Sequence, residues 1–210
     1  MKIATGRPGV GSDRFIKERG SMARAKHRRA GFTLVELLIV IIIIGILAAI
    51  AVPQFTNSTL DAKESTLVSN LATLRNAIEL YYHQHSGKYP GAVDDTDGSG
   101  APADATAAAA AFVNQLTQYT NKDGKASTTL DRTTYPFGPY LRTGVPANPL
   151  PDADASSVDN DGVTVASGTG SISADGASAT TGWKFNSDTG QLIANSDDTS
   201  SDGVLAYSAF

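Results

Sequence analysis

The hydrophobic pattern starts with an unbroken apolar run: every residue of 37–52 is apolar or glycine (LLIVIIIIGILAAIAV). With residues 32–36 in front of it, the segment 32–52 has 21 residues. As an α-helix this segment would be about 31 Å long, roughly the hydrocarbon thickness of a bilayer. A buried core helix is the alternative, but core helices are usually shorter and carry a polar face. We therefore predict that residues 32–52 span a membrane.

The pattern becomes periodic after Pro53, where apolar residues recur every three, four or seven positions, as on one face of an α-helix. That face consists of Leu60, Leu67, Leu71, Leu74, Ile78 and Tyr81, and the opposite face of Asp61, Lys63, Glu64, Ser65, Asn76 and Glu79. We predict one long helix from Phe32 to about His85, bent near Gly45 and Pro53. The bend is expected because Pro53 removes the hydrogen bond to the carbonyl of Ala49.

The pattern of the residues that follow the long helix predicts a domain of the α+β class, called the head below. Residues 86–90 (SGKYP) end the long helix, 91–104 form a loop, and Ala105–Tyr119 form a short helix. Residues 182–194 predict a β-hairpin with its turn at 187–190, and Val204–Tyr207 a further strand. This small antiparallel sheet would cover the apolar face of the long helix and bury Trp183, Phe185 or Leu192. Residues 152–182, mostly small or polar, predict a solvated loop or flexible hairpin, with a region for surface display as the alternative.

The charges are strongly polarised along the chain. Residues 1–31 hold nine Lys/Arg against two acidic residues, a net charge of +7, whereas residues 32–210 have a net charge of −11. Basic residues flank the apolar run only on its N-terminal side, which predicts a cytoplasmic N-terminus and places residues 54–210 outside. The net negative charge of residues 32–210 argues against nucleic acid as the main partner, because phosphate binding needs a basic surface. The absence of cysteine excludes disulfides and thiolate metal sites.

Two residues set this apolar run apart from an ordinary secretory signal: Gly31 lies before it, at the junction with the basic segment, and Glu36 lies inside it. A carboxylate within a membrane span either pairs with another polar or charged group or extends (snorkels) to the membrane–water interface. The stretch from Gly31 through Glu36 and Gly45 to Pro53 resembles the N-terminus of type IV pilins and type II secretion pseudopilins. The resemblance combines the glycine, Phe32, Glu36 and Pro53 over about 25 residues without a gap.

The resemblance implies a pilin fold and a series of processing steps. A prepilin peptidase/methyltransferase would cut between Gly31 and Phe32 and methylate the new Phe32 amine. Glu36 would then pair with the amine of a neighbouring subunit in a filament of identical chains. The implied segments are a cytoplasmic leader (1–31), a transmembrane and assembly helix (32–52), its amphipathic continuation (53–86) and an extracytoplasmic head (87–210). Membrane lipid, an inner-membrane assembly platform and an ATPase are the further partners implied.

Within this family the head resembles major pseudopilins of the protein G type. The turn 86–90 resembles their Gly-x-Tyr-Pro turn, and Gly138-Pro139-Tyr140-Leu141 resembles their Gly-Pro-Tyr-Leu segment. That subfamily continues with Asp-Pro-Trp-Gly, whereas this chain has Asn148-Pro149-Leu150-Pro151. A type II secretion pseudopilin is thus favoured, and a type IV pilin for adhesion, motility or DNA uptake is the alternative. A membrane-anchored binding domain that never polymerises is the alternative from another class.

Candidate chemistry outside the helix is sparse. Asp95 and Asp97, and likewise Asp159 and Asp161, lie in acidic runs followed by glycine, a composition suited to Ca²⁺. Neither run has the twelve-residue EF-hand pattern, so ordinary acidic turns are the simpler interpretation and no cofactor is expected. His83 and His85 are two apart on a helix and cannot chelate one metal ion together. No catalytic motif is present, and we expect no enzyme.

The start of translation is a further expectation. Initiation at Met22 would leave a ten-residue leader (MARAKHRRAG), which is closer to the short leaders of the family. Residues 1–21 would then be dispensable.

Overall fold

A computed structural model of the 210-residue chain describes residues 31–210, except for the side chains of 52–57. Two compact units divide at residues 46 and 47, inside the first helix. That helix, α1, runs over Leu34–Gln84 as a single assignment. It continues through Gly45 and Pro53, so neither residue ends it, and the bend expected there stays a prediction. The basic leader and Met22 lie outside the described residues.

The second half of α1 places its apolar face in the core, as the periodicity predicted. Leu67, Leu71, Leu74, Ile78 and Tyr81 are buried, and Leu60 packs against their cluster at its edge. Most of the predicted polar face is exposed. After Gln84 the chain turns through Ser86 and Gly87, and the Gly87 amide donates to the carbonyl of Tyr82 at 3.0 Å. The predicted end of the helix is therefore confirmed.

The head adds one helix and two small sheets. Helix α2 covers Ala105–Thr117 and is capped by Asp104, whose carboxylate accepts from the Ala107 amide at 2.8 Å. Strands β1 (Tyr119–Thr120) and β2 (Ala126–Ser127) pair antiparallel. A second sheet holds β3 (Asp159–Ala166), β4 (Thr181–Asn186) and β5 (Leu192–Ala194) in the order β3-β4-β5. The α+β class is confirmed.

The predicted hairpin is present, with β4 and β5 antiparallel and Trp183, Phe185 and Leu192 all buried. These side chains form one core cluster with the apolar face of α1 and with Phe112 and Leu116 of α2. The indole Nε1 of Trp183 donates to the carbonyl of Pro146 at 2.8 Å. The sheet therefore covers the amphipathic half of α1 as expected.

Two details of the predicted sheet differ. Residues 152–182 contain strand β3, which pairs parallel with β4, so the sheet is mixed rather than antiparallel. Burial of Val163 and Val165 draws this polar segment into the sheet, and residues 167–180 are long enough for the crossover that parallel pairing needs. The prediction of a strand over Val204–Tyr207 is wrong. Ala206 forms an isolated bridge with Thr199, and a turn of 3-10 helix follows at Tyr207–Ala209.

Candidate functional site

The first turns of α1 carry the site that the sequence singled out. Leu34–Ala51 is long and apolar enough to cross a membrane, with a mean hydropathy of 3.1, and none of it is buried within the chain. A helix that is apolar on all sides without protein cover needs an apolar environment from outside the molecule. A core helix of a soluble domain would instead be buried by its own chain.

Glu36 has a specific partner at the start of this helix. The Glu36 carboxylate Oε2 accepts from the Thr33 amide at 3.0 Å and from the Thr33 hydroxyl at 2.8 Å. In return, the Glu36 amide donates to the Thr33 hydroxyl oxygen at 3.2 Å. This reciprocal arrangement is a capping box, which satisfies amide groups that the first turn of a helix leaves free. Sequence reasoning missed it, although a threonine three residues before a glutamate at the start of an apolar run is its signature.

Gly31 lies just before α1 and is exposed. No atom of the described chain lies within 4 Å of the position that a Cβ would take there. A larger side chain at Gly31 therefore meets no steric obstacle among the described residues beyond its immediate neighbours. Phe32 is 85% exposed beside it, so both residues are accessible to another molecule.

The four candidate calcium ligands have partners within the chain. Asp95 Oδ2 accepts from the Asn114 amide side chain at 2.7 Å, and Asp97 Oδ1 accepts from the Ser99 backbone amide at 2.7 Å. The hydrogen bond between the carboxyl groups of Asp159 and Asp161 raises the pKa of Asp159. Among residues 31–210, no three His, Asp or Glu side chains gather as metal ligands. Calcium binding stays a prediction that no contact in this part of the chain supports.

The two histidines have separate surroundings, as the helical spacing predicted. His83 is exposed. His85 is buried, with its Nδ1 at 2.8 Å from the carbonyl of Tyr81 and its Nε2 at 3.0 Å from the Thr120 hydroxyl. Both ring nitrogens are satisfied by a neutral imidazole that donates from Nδ1 and accepts at Nε2. His85 is thus a packing residue of the core.

Comparisons with known proteins converge on the N-terminal segment. Residues 26–52 match the family described as "Prokaryotic N-terminal methylation motif". The chain is 38% identical over 65 residues to the type II secretion system core protein G of Aeromonas hydrophila, covering 31% of this chain and 45% of that protein. It is 50% identical over 54 residues to the type IV major fimbrial protein FimA of Dichelobacter nodosus, covering 26% and 35%.

A third relative is the type IV major pilin protein PilA of Myxococcus xanthus, 43% identical over 63 residues that cover 30% of this chain and 29% of that protein. The matched segment is thus less than half the length of each of these three relatives. No solved structure matches the chain significantly. The resemblance to the type IV pilin and pseudopilin family is confirmed by the motif and by relatives of both kinds.

Proposed function

We propose that the chain is the structural subunit of a filament of the type IV pilus and type II secretion pseudopilus class. One observation carries this proposal: the segment Leu34–Ala51 is apolar apart from Glu36, and no described part of the chain covers it. Membrane lipid would cover it before assembly, and the same segment of neighbouring copies would cover it in the filament. The head, folded on the other half of α1, would remain outside the membrane.

The processing steps of the family fit the geometry at the start of α1. We propose that a prepilin peptidase/methyltransferase removes residues 1–31 on the cytoplasmic side and methylates the amine of Phe32. Gly31 suits such a cleavage because the backbone must come close to the catalytic groups of the peptidase, and glycine has no Cβ in the way. The exposure of both residues supports this proposal.

The subunit would insert once in the inner membrane, with its N-terminus in the cytoplasm, and then enter an extracytoplasmic filament, in the periplasm or at the cell surface. An assembly platform and its ATPase would drive that step, as the resemblance implies. The relatives include both secretion core proteins and pilins, so the proposed class is the one that contains both. The protein G-like turn and the lack of cysteine favour the pseudopilus within it.

Mechanical shearing tests the proposal against a subunit that never polymerises. Filaments sheared from cells with a permeabilised outer envelope, so that periplasmic filaments are also released, and pelleted at high speed should contain the mature chain, with N-methyl-Phe32 as the first residue in intact-mass analysis. A non-polymerising anchored domain would leave the sheared fraction empty and the membrane fraction full. An unmethylated or displaced N-terminus would contradict the proposed processing.

Gly31→Leu separates processing from folding. The precursor should accumulate uncut in the membrane, because the larger side chain obstructs the peptidase while clashing with none of residues 33–210. Gly170→Leu is the matched control, since its Cβ position is equally free of described atoms within 4 Å beyond its chain neighbours. Normal cleavage of the Gly31→Leu precursor would show that the peptidase acts elsewhere.

A further inference from the structure

Two features of the head remain unused by the proposed function: an exposed aliphatic tip and an open cleft. The tip loop is residues 200–205, where Val204 is 72% and Leu205 49% exposed. The 136–140 cleft has a volume of about 300 Å³ and is lined by Leu80, Gln84, Pro136, Phe137, Pro139 and Tyr140. Leu80 in the wall of this cleft is 50% exposed. Both features therefore present apolar side chains to the outside.

The tip loop is held in a fixed shape. The Ser200 amide donates to the Leu205 carbonyl at 2.8 Å, and the Gly203 amide to the Ser200 carbonyl at 2.7 Å. The Val204 amide donates to Asp202 Oδ1 at 3.0 Å. A loop with this many internal hydrogen bonds displays its aliphatic side chains without a large entropy cost on binding.

Glu64 of α1 anchors the tip loop to the helix. Its Oε1 accepts from the Ser201 amide at 2.5 Å, and its Oε2 accepts from the Ser201 hydroxyl at 3.0 Å. The Tyr207 hydroxyl, just beyond the loop, donates to the same Oε1 at 3.2 Å. At the far end of α1, the Tyr140 hydroxyl of the cleft donates to Gln84 Oε1 at 2.6 Å. The tip loop and the cleft are therefore attached to two defined positions of one helix.

These positions are displaced both along and around α1. Glu64 precedes Leu80 and Gln84 by 16 and 20 residues, which corresponds to about 24–30 Å along the helix at 1.5 Å per residue. At 3.6 residues per turn, Glu64 and Gln84 lie about 160° apart, on opposite flanks of the buried apolar face. A feature on one flank cannot meet its counterpart on the other flank of the same chain, but a second copy shifted along the helix can bring the two together.

The charges of the two segments are complementary. Residues 196–206 carry Asp197, Asp198 and Asp202 and no basic residue, whereas residues 131–149 carry Arg132 and Arg142 against Asp131, a net charge of +1. Within the described part of the chain, neither arginine forms an ion pair. Opposite charges around complementary patches favour encounter and fix register.

We propose that the tip loop of one copy docks in the 136–140 cleft of another copy, displaced along α1 by about 24–30 Å. The contact joins two different patches, so it is heterologous and repeats without closing, as an open helical filament requires. It rests on the proposed filament function and names a head-to-head contact within that filament. The aliphatic tip fills the cleft, and the two arginines face the acidic loop.

Cysteine crosslinking tests this contact directly, because the natural chain has no cysteine. Cells would co-express Val204→Cys and Leu80→Cys on two full-length chains of different tag length, and sheared filaments would be oxidised and run without reductant. A mixed dimer of the two tag lengths is expected. The matched control pairs Val204→Cys with Val68→Cys, because Val68 is 52% exposed on α1 but outside the cleft. That pair should give no mixed dimer.

The outcomes separate this contact from the filament itself. Intact filaments without the Val204–Leu80 dimer, or with an equal dimer in the Val68 control, would overturn the contact and leave the filament standing. An empty sheared fraction from wild type would overturn both. As a second measurement, Val204→Asp should deplete the sheared filament fraction while Val68→Asp leaves it intact; equal effects of the two substitutions would also overturn the contact.

Discussion

The imidazole of His85 lies flat on the phenol ring of Tyr81, one helical turn earlier, with ring centroids 3.7 Å apart and ring planes inclined by 7°. Phe137 and Tyr140 meet the same imidazole edge-on, at centroid distances of 5.3 and 6.2 Å. The end of α1 is therefore fixed in an aromatic cluster. Because the polar atoms in this cluster are buried, its stability depends on pH and on single polar groups.

Acid should destabilise the head through His85. Burial lowers the pKa of His85, and the backbone of Tyr81 and Asn121 and the charge of Asp123, which favour the protonated ring, only partly oppose this. Above the ordinary histidine pKa of about 6.5 both the folded and unfolded states are neutral, so the stability is fully present there. As pH falls below about 6.5 the unfolded state takes up the proton first, and stability is lost down to the folded pKa.

His85→Asn isolates this effect. It should cost about 1–3 kcal/mol at pH 8, where packing and the bond to Thr120 are lost, and the difference from wild type should shrink as pH falls. Denaturant unfolding of the full chain in detergent, at pH 8 to 5, measures it. His83→Asn is the control, because His83 is exposed and should follow wild type at every pH. A constant difference between wild type and His85→Asn over this range would contradict the assignment.

Removing the hydroxyl of Tyr81 should not weaken the fold. Within the described residues this buried hydroxyl has no hydrogen-bond partner, and burial raises the pKa of Tyr81. Tyr81→Phe deletes an unsatisfied polar atom and keeps the ring stack, so we expect unchanged stability or a gain of up to about 1 kcal/mol. Tyr140→Phe is the control and should cost about 0.5–1.5 kcal/mol, since its hydroxyl donates to Gln84. Comparable losses in the two variants would contradict the prediction.

Gly124 is required for space and not only for its backbone angle. Its φ is +99°, and an added Cβ would lie 2.6 Å from Val93 Cγ2 and 2.9 Å from the Tyr81 hydroxyl. Gly144 has a similar φ of +91° with no atom within 4 Å of its Cβ position. Gly144→Ala should cost about 1–2 kcal/mol for the left-handed backbone alone. Gly124→Ala should cost about 1–3 kcal/mol more, and thermal unfolding of both variants compares them directly.

Periodicity predicted α1 and its apolar face because the helical spacing of apolar residues is a local property of residues 60–81. The hairpin was predictable for a similar reason, since a polar turn separates two short apolar runs. Strand β3 could not be predicted in this way, because Val163 and Val165 are among the few apolar residues in an otherwise polar segment. Its place depends on the long-range packing of those valines with β4 and the core.

The C-terminal segment shows why a short apolar run can mislead. Val204 and Leu205 suggested a strand, but the turn closed by Asp202 and Gly203 leaves both side chains exposed. At the start of α1 the residues of the site were predictable from their sequence motif. The spacing of Thr33 and Glu36 also matches the capping-box signature, and the structure shows that the box is formed.

The Thr33–Glu36 capping box changes how the role of Glu36 should be tested. A single Glu36→Leu substitution removes both a helix cap and a charge. Glu36→Gln keeps the capping geometry and removes the charge, because glutamine also serves in this box. Thr33→Val keeps the charge and removes the hydroxyl that the box needs. The two conservative variants thus separate the two roles.

If Glu36 pairs with the Phe32 amine of a neighbouring subunit, Glu36→Gln and Glu36→Leu should both lower the ratio of sheared filament to membrane pool by about tenfold or more. The reason is that each leaves a charged amine unpaired in an apolar filament core, which is strongly destabilising. Thr33→Val should then assemble almost normally, and all three precursors should insert and be cleaved. If the carboxylate serves only as a cap, Thr33→Val and Glu36→Leu lose filament and Glu36→Gln does not. If it only reaches the interface by snorkelling, all three variants keep the wild-type ratio at matched expression, and the pairing is disproved.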